Sequence, residues 1–387
     1  MLLTADTQRT LYRAAEEIAE VFNELCTLCA ADPTLAASFL GLTPVQQALW
    51  CASAPHWHGI ARADVFLTSS GPVVCELNCD TPSGEAEAVL LNDAVAPGFP
   101  QHADPNRMLG DRLCAMISAL ARGLTARRPD APLSIGIVYP TEMPEDLSMV
   151  LLYRQWFEER GWNATLGSPF NLRRFGGHRA GLFGTPCDVF LRHYKTDWWT
   201  ERIPAWADEP PVPDPEPLSH ELGILLDASL SATCAVVNPF GAIVPQNKRA
   251  MALLWERLDL FSAPSRAAVR RYLPQTFRLE SLPRQSLLAE REQWVLKSDY
   301  GCEGDEVVIG RDTDPGDWAQ ALDAAIPGRW VAQRYFEALR DSAGECANHG
   351  VYLIAGEASG IYTRLAPHAT DRHALSAPVL IAPEVAG

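Results

Sequence analysis

The stretch IARADVFLTSSGPVVCELNCD, residues 60–80, reads as two short strands joined by a tight turn. In the first, Ala61, Ala63, Val65 and Leu67 alternate with Arg62 and Asp64; in the second, Val73, Cys75, Leu77 and Cys79 alternate with Glu76, Asn78 and Asp80. Successive side chains of a strand point to opposite faces, so each run has one apolar and one polar face. A three-residue loop, Ser69-Ser70-Gly71, with glycine in the left-handed conformation, sets Asp64 opposite Glu76 and Arg62 opposite Asn78. An even-length loop would bring polar residues opposite apolar ones. Facing like charges destabilise a strand pair unless something neutralises them. Two readings fit. Two carboxylates and an amide oxygen on one face make a hard-oxygen site that suits Mg²⁺ when phosphates complete its shell; equally, the face is solvated and Arg62 balances part of its charge.

Composition narrows the class. The chain has 387 residues, 47% hydrophobic and 21% charged, which is the make-up of a globular protein with room for two or three domains. Its 48 Asp and Glu outnumber 32 Lys and Arg, for a net charge of −16. That balance argues against a nucleic-acid or anionic-membrane binder, which needs a basic footprint. The opening MLLTADTQRT lacks the basic start and apolar run of a secretory signal, and no stretch approaches the roughly 18 apolar residues of a membrane span. The expected location is cytoplasmic and the ten cysteines are expected to be reduced thiols. Cys26 and Cys29 form a CxxC without a complementing pair and read as buried helix residues at i, i+3; His56 and His58 read as a loop pair.

Along the chain, apolar spacing predicts helices over about 8–30, 33–50 and 105–127, with another after the hairpin that has Thr81 as N-cap and Pro82 at its first position. From 133 the texture becomes strand, helix (ended by Gly161), strand, and a third strand in DVFLRHYK, the pattern of an α/β unit with parallel pairing. The proline-rich 209–218 is expected to be an extended loop. Farther on, Lys248 opens a helix. In WVLKSDYGCEGDEVVIG, residues 294–310, Lys297 ends a strand, and Gly301 and Gly304 bracket a tight loop. Such a loop lets backbone N–H groups approach phosphates, although many ordinary hairpins carry two glycines. The chain has three lysines, at 195, 248 and 297, and two of them lie in these nucleotide-like settings. GxxxxGK[ST], GxGxxG after a strand and GxSxG are absent.

Taken in order, GLTPVQQALW, HWHGIARADVFL, VCELNCDTPSGEAEA, IGIVYPTEMPEDLSMVLLY, VVNPFGAIVPQNKRAMALLWE, VLKSDYGCEGDEVV and GEASGIYTRLA resemble the synthetase domain of glutathionylspermidine synthase. The resemblance implies an α/β protein with a circularly permuted ATP-grasp fold and a pre-ATP-grasp-like α/β domain. Its parts would be 1–130 with the metal hairpin, 131–235 as the α/β domain, and 236–387 as the nucleotide-binding part. It implies an ADP-forming carboxylate–amine ligase that uses ATP and Mg²⁺ and joins glutathione or a peptide-like acid to a polyamine-like amine. Carried over by position, Asp64, Glu76 and Asn78 would hold the metal. Lys248, Lys297, Gly301, Glu303 and Gly304 would hold the phosphates, and Gln333 to Tyr335 the adenine. Arg364 and Arg62 would be catalytic, Arg62 and Thr81 would hold the acceptor carboxylate, and Glu145 and Asp146 would face the amine. Two positions depart from the family pattern: Cys302 stands where the loop has arginine, and Ser298 replaces the proline after the lysine. The same chemistry on other amino-acid or peptide substrates, and nucleotide binding without turnover, are the alternatives.

Overall fold

A long helix, Ala5–Ala31, begins at Thr4, whose hydroxyl accepts from the Thr7 N–H. The structure, a computed structural model, describes residues 1–125, 127, 131–201, 217–301, 307–367 and 373–383. The apolar stripe of this helix, Leu11, Ile18, Phe22 and Leu25 among others, packs in one core with Ala61, Ala63, Val65, Val74 and Leu77 of the hairpin. Cys26 and Cys29 lie in that core as free buried thiols. The expected helix over 33–50 is broken. A π-helical turn, Leu35–Phe39, is followed by Gly41 at φ +73° and a fresh helix, Pro44–Ser53. Thr43 and Gln46 cap each other reciprocally at its start, and Pro44 fixes its first position.

The hairpin strands, Ile60–Thr68 and Gly71–Asn78, form the edge of an antiparallel five-stranded sheet. Leu375–Ala377, Glu357–Ala366 and Cys346–Ile354 complete it in that order, so strands from near both ends of the sequence make one surface. The expected facing of Asp64 with Glu76 and Arg62 with Asn78 is present, but the loop is not the one expected. Thr68 pairs with Gly71, which leaves a two-residue turn, and the register shifts between Asp64 and Val65. Val65 faces Val74 while Asp64 faces Glu76, so Cys75 is the extra residue of a β-bulge. The bulge restores the register that an even-length loop would otherwise have lost. It also moves Cys75 off the apolar face, and Val74 takes its place in the core.

A four-stranded parallel sheet runs Ala235–Val237, Val189–Arg192, Ser134–Val138, Asn163–Gly167, as the alternating strand and helix pattern predicts. Asn238, at the end of the first of these strands, bolts it to the hairpin. Its Oδ1 accepts from the Gly59 and Ile60 N–H groups, and its Nδ2 donates to the carbonyls of Ile60, Cys79 and Asp80. A second antiparallel sheet, Thr276–Arg278, Trp330–Arg334, Trp294–Ser298, Val307–Ile309, carries Lys297 and Gln333. The helix expected over 105–127 is confined to Leu109–Ala121. Most of the proline-rich stretch lies outside the described residues. Among the described residues, no helix is long and apolar enough to cross a membrane.

The helix after the hairpin does not start at Thr81. It spans Glu85–Val95, and its N-cap is Gly84 at φ +96°. The carbonyl of Ser83 is held instead by Arg62 Nη1 at 2.6 Å and the Tyr352 hydroxyl at 3.1 Å, which draws residues 81–84 across the sheet. A Cβ on Gly84 would come within 2.5 Å of the Tyr362 ring, so only glycine permits this approach.

Glu85, the first residue of that helix, is fully buried, and among the described residues neither carboxylate oxygen has a partner in hydrogen-bond geometry. Burial raises its pKa to about 7, against the smaller opposing effects of its own backbone N–H, His193, Tyr153 and Arg62. A raised carboxyl stabilises the fold fully below its unfolded pKa and ceases to do so as pH rises through the folded one. Glu85→Gln should therefore lose less stability than the wild type between about pH 5 and about pH 8, by up to about 3 kcal/mol. Denaturant unfolding at the two pH values measures this; equal losses in both proteins would contradict it.

Candidate active site

Strand register arranges the site. Across the five-stranded sheet one row reads Tyr362, Gly350, Asp64, Glu76. On one side of it lie Tyr352, Arg62 and Asn78, and on the other Arg364, Asn348 and Phe66. Gly350 carries no side chain, and Arg62 lies across the gap: a Cβ at 350 would meet Arg62 Cδ at 2.6 Å. Arg62 Nε donates to Asp64 Oδ1 at 2.7 Å and its Nη2 to Oδ2 at 3.2 Å. Arg364 Nη2 reaches the same Oδ2 at 3.1 Å, and Asn348 Nδ2 reaches it at 3.4 Å. Burial would raise the Asp64 carboxyl, but Arg62 and Arg364, with the hydrogen bonds from Arg62 and Asn348, hold it below its ordinary value. The Arg62 guanidinium is correspondingly shifted upward by Asp64, against its own burial.

Glu76 Oε1 lies 3.4 Å from Lys248 Nζ. With its amide turned to satisfy both ends, Asn78 donates to Glu76 Oε1 at 3.2 Å and accepts from Arg62 Nη2 at 3.2 Å. Lys248 occupies the N-cap of the helix Arg249–Glu256, and its ammonium donates to the Gly301 carbonyl at 2.5 Å. Lys297 Nζ and Gln333 Nε2 both donate to the carbonyl of Cys75, each at 3.4 Å. The bulge residue thus joins the hairpin to the second antiparallel sheet. Gly301 N–H donates to Ser298 Oγ at 2.9 Å, which closes the turn after Lys297 where the family has proline. Glu303, Gly304 and Cys302 lie outside the described residues.

These groups line one cavity of about 630 Å³. Arg62, Asp64, Glu76, Asn78 and Arg364 form its floor, Lys248, Lys297 and Gly301 one wall, and Gln333 and Tyr335 are also at its surface. The Arg311 guanidinium covers the Tyr335 ring at 4.0 Å. Thr81, Glu145 and Asp146 line the same cavity. The last two follow the strand Ser134–Val138, and His193 follows Val189–Arg192, so the C-terminal edge of the parallel sheet supplies this side. Asp146 Oδ2 is 3.1 Å from His193 Nε2. Lys195, which the sequence left without a role, also lines the cavity and pairs with Asp197 at 3.3 Å. All three lysines of an acidic chain therefore face one space.

His193, Gly350 and Asn348 were not singled out from the sequence. His193 carries a weak signal in its place after a parallel strand; the other two carry none, because their role depends on neighbours far away in the chain.

As it stands, the floor holds two carboxylates, Asp64 and Glu76, contacted by Arg62, Arg364 and Lys248. The excess positive charge suits a phosphate-bearing ligand, and the oxygen donors suit the hard divalent cation that accompanies one.

Residues 216–382 match the sequence model of the family described as glutathionylspermidine synthase preATP-grasp. The resemblance to that family drawn from the motifs holds over this segment, which includes Lys248, Lys297 and Arg364; the hairpin lies outside it. A glutathione synthetase-like effector from Globodera pallida has a similar fold, with a TM-score of 0.59 at 8% identity over 98% of this chain and 88% of that one. A Methylobacillus flagellatus protein assigned as a gamma-glutamylcysteine synthetase aligns over 98% and 87% of the two chains, with a TM-score of 0.49 and 14% identity. The curated proteins contain no match. The chain has the mixed α/β ATP-grasp fold that its sequence motifs imply.

Gly350→Ala should displace Arg62 from Asp64 while leaving the sheet paired, because the atom in the way is part of a flexible side chain. A displacement on the order of 1 Å would lower turnover by about 100-fold. Steady-state kinetics together with a thermal melt check this: a variant with unchanged turnover would show that Arg62 does not depend on the gap.

Proposed function

We propose that the protein is an ATP-dependent, ADP-forming carboxylate–amine ligase. The observation that carries this reading is the convergence of Asp64, Glu76, Asn78, Lys248, Lys297 and Arg364 on one cavity. Under it, residues 1–130 and 236–387 build the nucleotide site jointly and 131–235 supplies the amine side; the five-stranded sheet shared by the first and third segments supports that division. Asp64, Glu76 and Asn78 would hold Mg²⁺, which neutralises phosphate charge when bound. Lys248 and Lys297 carry further positive charge to the transferred phosphoryl group, where positioning and electrostatics supply most of the catalysis. Gln333 and Tyr335 border the nucleotide base, and Gly301 the phosphates. Arg62 and Thr81 hold the acceptor carboxylate, and Arg364 stabilises the acyl phosphate and the tetrahedral species that follows. An amine approaching past Glu145 and Asp146 then displaces phosphate.

Glutathione as acid and spermidine as amine are the first pair of this reading. The contact with His193 engages Asp146, one of the two carboxylates that a polycation would use on this side. That favours a second reading, the same reaction on another peptide-like acid and a less charged amine.

ADP release from Mg·ATP with glutathione, with and without spermidine, and the product mass, test the reading. Amine-dependent ADP with the mass of the conjugate supports the first pair. Amine-dependent ADP with other members of an acid and amine panel supports the second reading, and Mg·ATP binding without ADP from any pair would contradict ligase activity. Glu76→Gln should reduce ADP release by more than about 100-fold while the melt stays close to wild type; full activity in that variant would remove Glu76 from the metal set.

A further inference from the structure

The amine side of the cavity holds a histidine to which the proposed chemistry gives no role. His193 follows the strand Val189–Arg192, and its backbone N–H donates to the Val138 carbonyl at 2.7 Å, which fixes it at the C-terminal edge of the parallel sheet. Its side chain is 8% exposed and lines the cavity with Glu145 and Asp146. Nε2 lies 3.1 Å from Asp146 Oδ2, so in the neutral ring the proton sits on Nε2 and the lone pair on Nδ1. Among the described residues Nδ1 has no hydrogen-bond partner, yet it is not sealed from solvent. The polar contacts of Asp64 and Glu76 go elsewhere, to Arg62, Arg364, Asn348 and Lys248.

The reaction needs a proton acceptor on this side. An alkyl amine binds as an ammonium ion, whose nitrogen has no lone pair with which to attack. A carboxylate such as Glu145 attracts that ion but is a weak base near neutral pH, because the effective acceptor has a pKa close to the working pH. Histidine is the side-chain type with that property, and His193 is the histidine at this cavity. Lys195, two residues on, is engaged by Asp197 at 3.3 Å. A ring held through one nitrogen by a carboxylate, with the other nitrogen open, is the arrangement of a general base and its orienting group.

We propose that His193 is the general base of the aminolysis step and that Asp146 is its positioning residue, which leaves Glu145 to hold the incoming ammonium. The inference rests on the ligase reading and deepens it. The bound ammonium gives one proton to Nδ1, and the nitrogen lone pair so released forms the C–N bond to the acyl carbon. The C–O bond to the phosphoryl group breaks, and phosphate leaves with the electron pair and takes the second surplus proton of the nitrogen. Asp146 stabilises the imidazolium formed, which returns its proton to solvent after the product departs.

The test compares His193→Gln and Asp146→Asn with wild type, using Mg·ATP, glutathione and two amines, spermidine and hydroxylamine; another acid or alkyl amine of the panel takes the place of one that the wild type does not turn over. Hydroxylamine is largely neutral at neutral pH and attacks acyl phosphates without a base, so hydroxamate reports formation of the acyl phosphate. With the alkyl amine, kcat should fall about 100-fold or more in His193→Gln and at least about tenfold in Asp146→Asn. Hydroxamate formation should stay within about tenfold of wild type in both. A folded His193→Gln with unchanged kcat for the alkyl amine, or one that loses both amines equally, overturns the assignment and leaves the ligase reading standing. If His193→Gln does not fold, Asp146→Asn decides by the same two outcomes. A wild type that gives neither ADP nor hydroxamate with any acid overturns the ligase reading, and the assignment with it.

Discussion

The bulge at Cys75 is the constraint on which the site depends. A two-residue turn paired without interruption would set Asp64 opposite Cys75 and leave Glu76 facing the core. One extra residue moves the pairing by a single step, and every side chain beyond it changes face. Glu76 and Asn78 then share a face with Arg62 and Asp64. The same irregularity turns the Cys75 carbonyl toward Lys297 and Gln333, so the register of the hairpin and its contact with the nucleotide-side sheet have one origin. Bulges beside functional sites commonly re-aim side chains in this way.

Charge is distributed against the average of the chain. A protein of net −16 gathers its three lysines and two interior arginines around one space. Local field, and not net charge, governs what such a space attracts. Asp64 holds Arg62 and Arg364 in place, and Asn348 completes its shell. Behind this floor, Asp80 accepts from Arg192 and from Thr196, and Asn238 ties both ends of the hairpin to the parallel sheet. Buried polar groups satisfied on several sides rigidify what they join, which is what a site of fixed geometry requires.

Much of this was legible in the residues. The parallel strands 134–138, 163–167 and 189–192 were marked by apolar runs between helical periodicity, and the long first helix by its stripe. The helix start at Thr81 was misread because a good capping sequence was present and a tertiary contact overrode it: Arg62 and Tyr352 capture Ser83 first. The helix over 33–50 failed for a local reason that was visible, the capping box Thr43 to Gln46 with Gly41 before it. Asn348 and Gly350 left no trace, since an asparagine or glycine in a strand means nothing until its neighbours across the sheet are known.

By itself the sequence determined the types of the elements and which face of each is polar, because alternation and helical spacing are properties of a chain read locally. It also determined the chemistry on offer, in carboxylates and an amide two residues apart and in three lysines. Only the tertiary structure decided that Lys248, Lys297 and Arg364, far beyond the hairpin in the chain, stand over its polar face. It alone decided that Asp64 is shared by two guanidiniums and that the hairpin keeps its register through a bulge at Cys75. Those outcomes follow from packing between distant segments, and neither propensity nor spacing along the chain encodes them.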